Sequence, residues 1–153
     1  MGAVYFYHVT RRPLVETLRM LLERALAQGW RVAVRGTQGA ALAELDLALW
    51  RGAEEDFLPH GLAGGPHDAL QPVLLTTDAG PAPNGAVCLM SVGGAVLAPE
   101  EVGAMARACV LFDGTDPDAV AAARVQWKAL TSAGLAAQYW SEASGRWEKK
   151  AET

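Results

Sequence analysis

Val4-Tyr5-Phe6-Tyr7-His8-Val9, then Pro13 to Gln28, then Trp30-Arg31-Val32-Ala33-Val34-Arg35: the reading of this opening stretch decides the fold. The first run is aromatic and β-branched, the composition of a strand. Pro13 opens a helix in which Leu14, Leu18, Leu21, Leu22 and Ala25 recur at helical spacing as one apolar stripe, and Gly29 ends it. The third run alternates as a half-buried strand. Strand, helix and strand in this order predict a crossover unit with parallel strands, because two parallel neighbours need a long connection between them.

Working outward, the same alternation continues. Thr37 is placed to cap a second helix in which Leu42, Leu45 and Leu49 share a face and which ends near Trp50. An irregular stretch rich in Gly, Pro and His runs from Arg51 to Gln71. Strands are predicted at Pro72–Thr76, Ala86–Ser91, Cys109–Phe112 and Leu135–Trp140, with a Gly/Pro/Asn loop at 79–85. A short helix begins at Pro99, and a long one runs from Pro117 to Ala133. The fold class is therefore α/β, a single domain with a mainly parallel central sheet and helices on both faces. That domain spans residues 1–147, and residues 148–153 read as a frayed, charged C-terminal tail.

Composition narrows the function. The 153 residues carry 13 Lys and Arg against 17 Asp and Glu, a net charge of −4. Such a balance excludes a protein that coats DNA, which needs net cations to neutralise phosphates, but leaves local patches open. Alanine supplies 29 residues, so the core relies on close packing of small side chains. Arg11, Arg12, Arg19, Arg24, Arg31 and Arg35 against Glu16 and Glu23 leave room for direct single-strand contact; a solvated helix face is their ordinary explanation. Cys88 and Cys109 lie in apolar runs and fit buried thiols in a reducing compartment. No signal sequence opens the chain, and the longest apolar stretch, residues 86–98, is too short to span a bilayer, so a cytoplasmic location is expected.

Motifs for chemistry are scarce. There is no CxxC, and His8, His60 and His67 lack ligand spacing, so no metal is expected. Gly36-Thr37-Gln38-Gly39 lacks the GxGxxG spacing and reads as a tight turn with a helix cap. Asp113-Gly114-Thr115-Asp116-Pro117-Asp118 lacks the distal Glu of a calcium loop, and Asp116 before Pro117 reads as an N-cap. No catalytic residues or cofactor are assigned. A nucleotide-dependent α/β enzyme of unknown substrate stays as the alternative reading.

Two clusters stand out. On the helix 117–133, Ala119, Ala122, Val125, Ala129 and Ala133 gather on one side, a smooth strip predicted to face the sheet. Val120, Arg124, Trp127, Lys128 and Thr131 gather opposite. A Trp between two cations either lies on a neighbouring segment or forms an apolar platform beside a carboxylate-binding pair, suited to an acidic peptide ending in an aromatic residue. The second cluster is Trp50 with Phe57, Pro59 and His60. The two aromatics are core lids or anchors for a protein partner, and His60 reads as a hydrogen-bonded loop residue.

Leu45-Asp46-x-x-Leu49-Trp50, Phe57-Leu58-Pro59-His60-x-Leu62-Ala63-Gly64, Gln71-Pro72-Val73 and Ala123-Arg124-x-x-Trp127-Lys128, with Phe6-Tyr7 and Gly134, carry a resemblance to the chi subunit of bacterial DNA polymerase III holoenzyme. It runs in order from about residue 3 to Lys150. The resemblance implies a Rossmann-like fold and a non-catalytic accessory protein of the clamp loader. It also implies binding of the acidic, phenylalanine-ended C-terminal tail of single-stranded-DNA-binding protein at Arg124, Trp127, Lys128 and Val120. The psi subunit or the clamp loader itself would meet Trp50, Phe57, Pro59 and His60, and DNA would be met only indirectly. Position 120 can be basic in relatives and is Val here, so weaker and less salt-sensitive tail binding is expected.

Overall fold

The computed structural model describes residues 2–51 and 58–153. Strand β1 (Ala3–Val9) leads through Pro13 into helix α1 (Leu14–Ala27), which stops where Gly29 takes φ of 80°. Strand β2 (Val32–Arg35) and helix α2 (Gly39–Trp50) follow, then a two-residue strand β3 (Gly61–Leu62), a 3₁₀ turn (Asp68–Leu70) and strand β4 (Val73–Thr76). Strand β5 (Cys88–Ser91), helix α3 (Pro99–Ala104), strand β6 (Arg107–Asp113), helix α4 (Pro117–Ser132), strand β7 (Ala136–Ser141) and strand β8 (Glu148–Glu152) complete the chain.

The strands form one sheet in the order β3-β4-β2-β5-β6-β1-β7-β8, parallel throughout except for the antiparallel β7–β8 pair. Alternation along each strand splits the core in two. Tyr7 and Val9 of β1, with Val32, Val34, Val73, Leu75, Met90, Cys109 and Leu111, face Leu18, Leu21, Leu22 and Ala25 of α1 and Leu42 and Leu49 of α2. Val4 and Phe6, with Ala33, Leu89, Ala108, Val110 and Phe112, face Val102 of α3 and Ala123 and Leu130 of α4. Helices thus cover both faces, as the alternation of elements predicts. Cys88 and Cys109 are buried, free thiols.

Three expectations are corrected. Thr37 does not cap α2: the N-cap is Gln38, without a side-chain cap, and the Thr37 hydroxyl donates to Gly93 O at 3.3 Å. Residues 148–152 are not a frayed tail but β8, paired with β7 and closed by Thr153, whose N–H donates to Ala137 O at 2.9 Å. The alanine strip of α4 is not its inner face. Ala123, Gln126 and Leu130 are the buried ridge, whereas Val125 is 70% exposed and Ala129 and Ala133 face solvent. The physical reason is Gln126. Its side chain accepts from Leu97 N–H at 3.1 Å, satisfying a buried backbone donor of the segment after β5, and donates at 3.1 Å to Ala95 O, which also accepts from the Ser91 hydroxyl.

Candidate functional site

Helix α4 begins as Asp116 and Pro117 dictate: the Asp116 carboxylate accepts the Asp118 N–H at 3.0 Å, with Pro at the first helical position. With the ridge Ala123–Gln126–Leu130 held inward, Val120, Arg124, Trp127, Lys128 and Thr131 form one flank, running from half-buried to exposed. Trp127 bridges the two regimes. Its ring meets Phe6 edge-on at 5.3 Å and Tyr139 at 6.0 Å, with interplanar angles of 70° and 80°. Tyr139 in turn meets Phe112 and His8, each at 6.0 Å, and His8 stacks on Phe112 at 5.2 Å. Gly114 makes that stack possible, since a Cβ there would stand 1.9 Å from the His8 ring. Trp127 therefore packs on neighbouring strands and is half-buried at the flank.

Among the described residues, neither Arg124 nor Lys128 has a carboxylate within ion-pair distance, and both are exposed. Burial pushes the Tyr139 hydroxyl above its ordinary range, and Arg124 works against that shift, which puts the guanidinium within electrostatic reach of the phenol. The flank thus offers two cations one helical turn apart along an aromatic floor of Trp127 and Tyr139. Such a floor takes an apolar side chain, and such cations take carboxylates. Tyr139 was not singled out in the sequence; its only signal is the strand period that puts it on the same face as Ala137.

The second cluster is divided. Trp50 is 49% exposed, and its ring rests on His60 with centroids 4.3 Å apart. His60 itself is buried: Nδ1 faces Leu58 O at 2.7 Å, and Nε2 faces Asp46 O at 3.1 Å and Asp46 Oδ1 at 3.2 Å. It supports the Trp50 ring from behind. Pro59 is half-buried, and Phe57 lies outside the described residues. Leu47, one turn before Trp50, and Leu62 of the neighbouring β3 are exposed and enlarge the apolar surface.

The turn after β1 bears on the nucleotide alternative. Beyond β1 the chain passes to α1, and beyond the adjacent β6 it passes to α4 on the other face, so the ends of β1 and β6 form a topological switch point, where α/β folds bind phosphates on turn amides. Here those amides are engaged. Thr10, Arg11 and Arg12 donate their backbone N–H groups to Glu142 Oε1 at 3.1, 2.8 and 3.1 Å. Glu142 is 1% exposed. Burial alone would raise its pKa, but the three N–H bonds and the Arg12 charge outweigh it and hold the carboxyl below its ordinary value. An internal carboxylate thus sits on the turn amides. Among the described residues no group of three side chains is arranged to hold a metal ion.

The model of the family described as DNA polymerase III chi subunit, HolC, matches residues 1–138. The chain belongs to the DNA polymerase III chi subunit family. A comparison with curated proteins gives no match. Membership of the chi family places the chain among the accessory subunits of DNA polymerase III and gives it a role in replication. The matched region contains β1, the four described helices and the first half of β7, so both the α4 flank and the Trp50 surface fall inside the chi-like part, with Tyr139 just beyond it. None of the described helices is long and apolar enough to cross a membrane.

Proposed function

We propose that this chi subunit is a non-catalytic adaptor of the replisome in the cytoplasm. It grips the acidic C-terminal tail of single-stranded-DNA-binding protein on the α4 flank and, through the surface around Trp50, joins the psi subunit or the clamp loader. The observation that supports this reading most is the pairing of unneutralised Arg124 and Lys128 with the aromatic floor of Trp127 and Tyr139. A tail that ends in an aromatic residue with a free carboxylate needs both parts. Acidic residues upstream of that end gain from the two exposed cations. DNA is met only indirectly, because the arginines near the N-terminus are largely engaged by the fold. Arg11 donates to Ala143 O at 2.8 Å, Arg31 to Ala69 O at 2.9 Å, Arg19 to Leu49 O, and Arg12 approaches Glu142 at 3.6 Å. Arg35 is buried in a bidentate pair with Glu101 at 2.9 and 2.5 Å.

Two sites on different elements predict separable losses. In a pull-down from extract of the source cells, Arg124→Ala is expected to lose the single-stranded-DNA-binding protein and keep the clamp-loader proteins. Trp50→Ala is expected to do the reverse. An Arg124 variant that is folded and still retains the binding protein in full contradicts the assignment of the tail site.

A further inference from the structure

A cavity of about 400 Å³ opens between α1 and the sheet, on the face opposite α4. Its apolar lining includes Leu21 and Ala25 of α1, Met90 of β5 and the two free thiols, with Tyr7 and Trp30 at its sides. Two cations, Arg24 and Arg107, line it, and no carboxylate of the described residues does. Among the described residues neither arginine has an acidic partner within ion-pair distance.

Arg107 is held in a fixed pose without one. Its guanidinium lies 4.1 Å from the centre of the Tyr5 ring and 5.6 Å from that of Trp30. Its Nε is buried and has no hydrogen-bond partner. Stacking on aromatic faces steadies a guanidinium but leaves its in-plane donors unused. An unsatisfied buried donor on a charged group is costly, and an anion supplies both the missing acceptor and the missing charge. Tyr7 lines the same cavity, and its hydroxyl lies within electrostatic reach of both arginines.

We propose that this cavity is a second ligand site, for a small organic anion with one carboxylate or phosphate head on an apolar, ring-sized body. The head sits between Arg107, Arg24 and the Tyr7 hydroxyl, and the body lies against Met90, Leu21 and Trp30. The volume is in the range of roughly 300–1,000 Å³ usual for small-molecule pockets. Because the sheet separates this cavity from the α4 flank, the ligand and the tail peptide occupy the protein together without competing.

The test is a titration of the ¹⁵N-labelled full chain with phenylacetate, phenyl phosphate and neutral phenylacetamide, followed at the arginine Nε–H and tryptophan indole signals. Either or both anions are expected to move Arg107, Arg24 and Trp30 and leave Arg124 and Trp127 in place, and to bind at least about tenfold more tightly than the amide. The tighter anion identifies the head as carboxylate or phosphate. Arg107→Met keeps the aliphatic stem over Tyr5 and is expected to weaken anion binding about tenfold or more. Ala27→Trp, at the cavity wall, is expected to weaken all three probes. If Arg107→Met fails to fold, Arg24→Met, at an exposed position, carries the same expectation. Equal response to the amide, shifts centred on Arg124, no response at millimolar anion, or a folded Arg107→Met or Arg24→Met variant with unchanged anion affinity would each overturn the site.

Discussion

Glu142 shows what single residues do here that neighbours in sequence do not reveal. Its carboxylate organises the β1–α1 turn from 130 to 132 residues away, a contact that exists only once β7 has joined β1. Nothing local marks Glu142 as buried, because it follows Ser141 and precedes a polar turn. Since its folded pKa lies below the ordinary value of 4.5, its stabilisation is fully present above that pH. It fades as pH falls through 4.5 toward the lower folded value. Glu142→Gln is expected to cost about 1–3 kcal/mol at pH 7, because charge-assisted bonds to buried amides are replaced by weaker ones. Denaturant titrations should show the gap between wild type and variant closing below pH 4.5. A gap that stayed constant from pH 7 to pH 3 would show that the charge contributes nothing.

Among the elements, α4 and β8 show where periodicity succeeds and where it fails. The apolar stripe of α1 is read correctly, since Leu18, Leu21, Leu22 and Ala25 are buried, although the face also takes in the polar Thr17. On α4 the small size of alanine makes every side plausible, and the sheet takes the side with Gln126, whose amide serves Ala95 and Leu97. The cationic and aromatic flank was legible because Arg124, Trp127 and Lys128 are distinctive at any orientation of the wheel. Strand β8 was not legible, since Glu148-Lys149-Lys150 has no strand composition; its pairing follows from the β7 edge that needs partners. Deleting residues 148–153 is therefore expected to lower the melting temperature by several degrees, corresponding to roughly 1–3 kcal/mol for a domain of this size. Calorimetry or circular dichroism measures it, and an unchanged melting temperature would restore the picture of a frayed tail.

At the scale of the whole molecule, the net charge of −4 conceals an uneven distribution. Several arginines of the N-terminal half hydrogen-bond to carbonyls or carboxylates of the fold. Two pairs of cations without a carboxylate in ion-pair distance among the described residues lie on opposite faces: Arg124 with Lys128 on α4, and Arg24 of α1 with Arg107 of β6. The mainly parallel direction of the strands could be anticipated from the βα alternation, and so could helices on both faces of the sheet; the strand order could not. The burial of His60 behind Trp50 and the aromatic floor under α4 could not, because each joins segments that only the folded sheet brings together. The most direct measurement is isothermal titration calorimetry of an acidic peptide ending in phenylalanine, into the wild type and an Arg124→Ala/Lys128→Ala variant, at low and moderate salt. The wild type is expected to show saturable one-to-one binding that weakens only modestly with salt, because two cations carry it, and the folded variant a loss of about tenfold or more. Equal affinity of the two proteins, or wild-type affinity falling by orders of magnitude with salt, would contradict it.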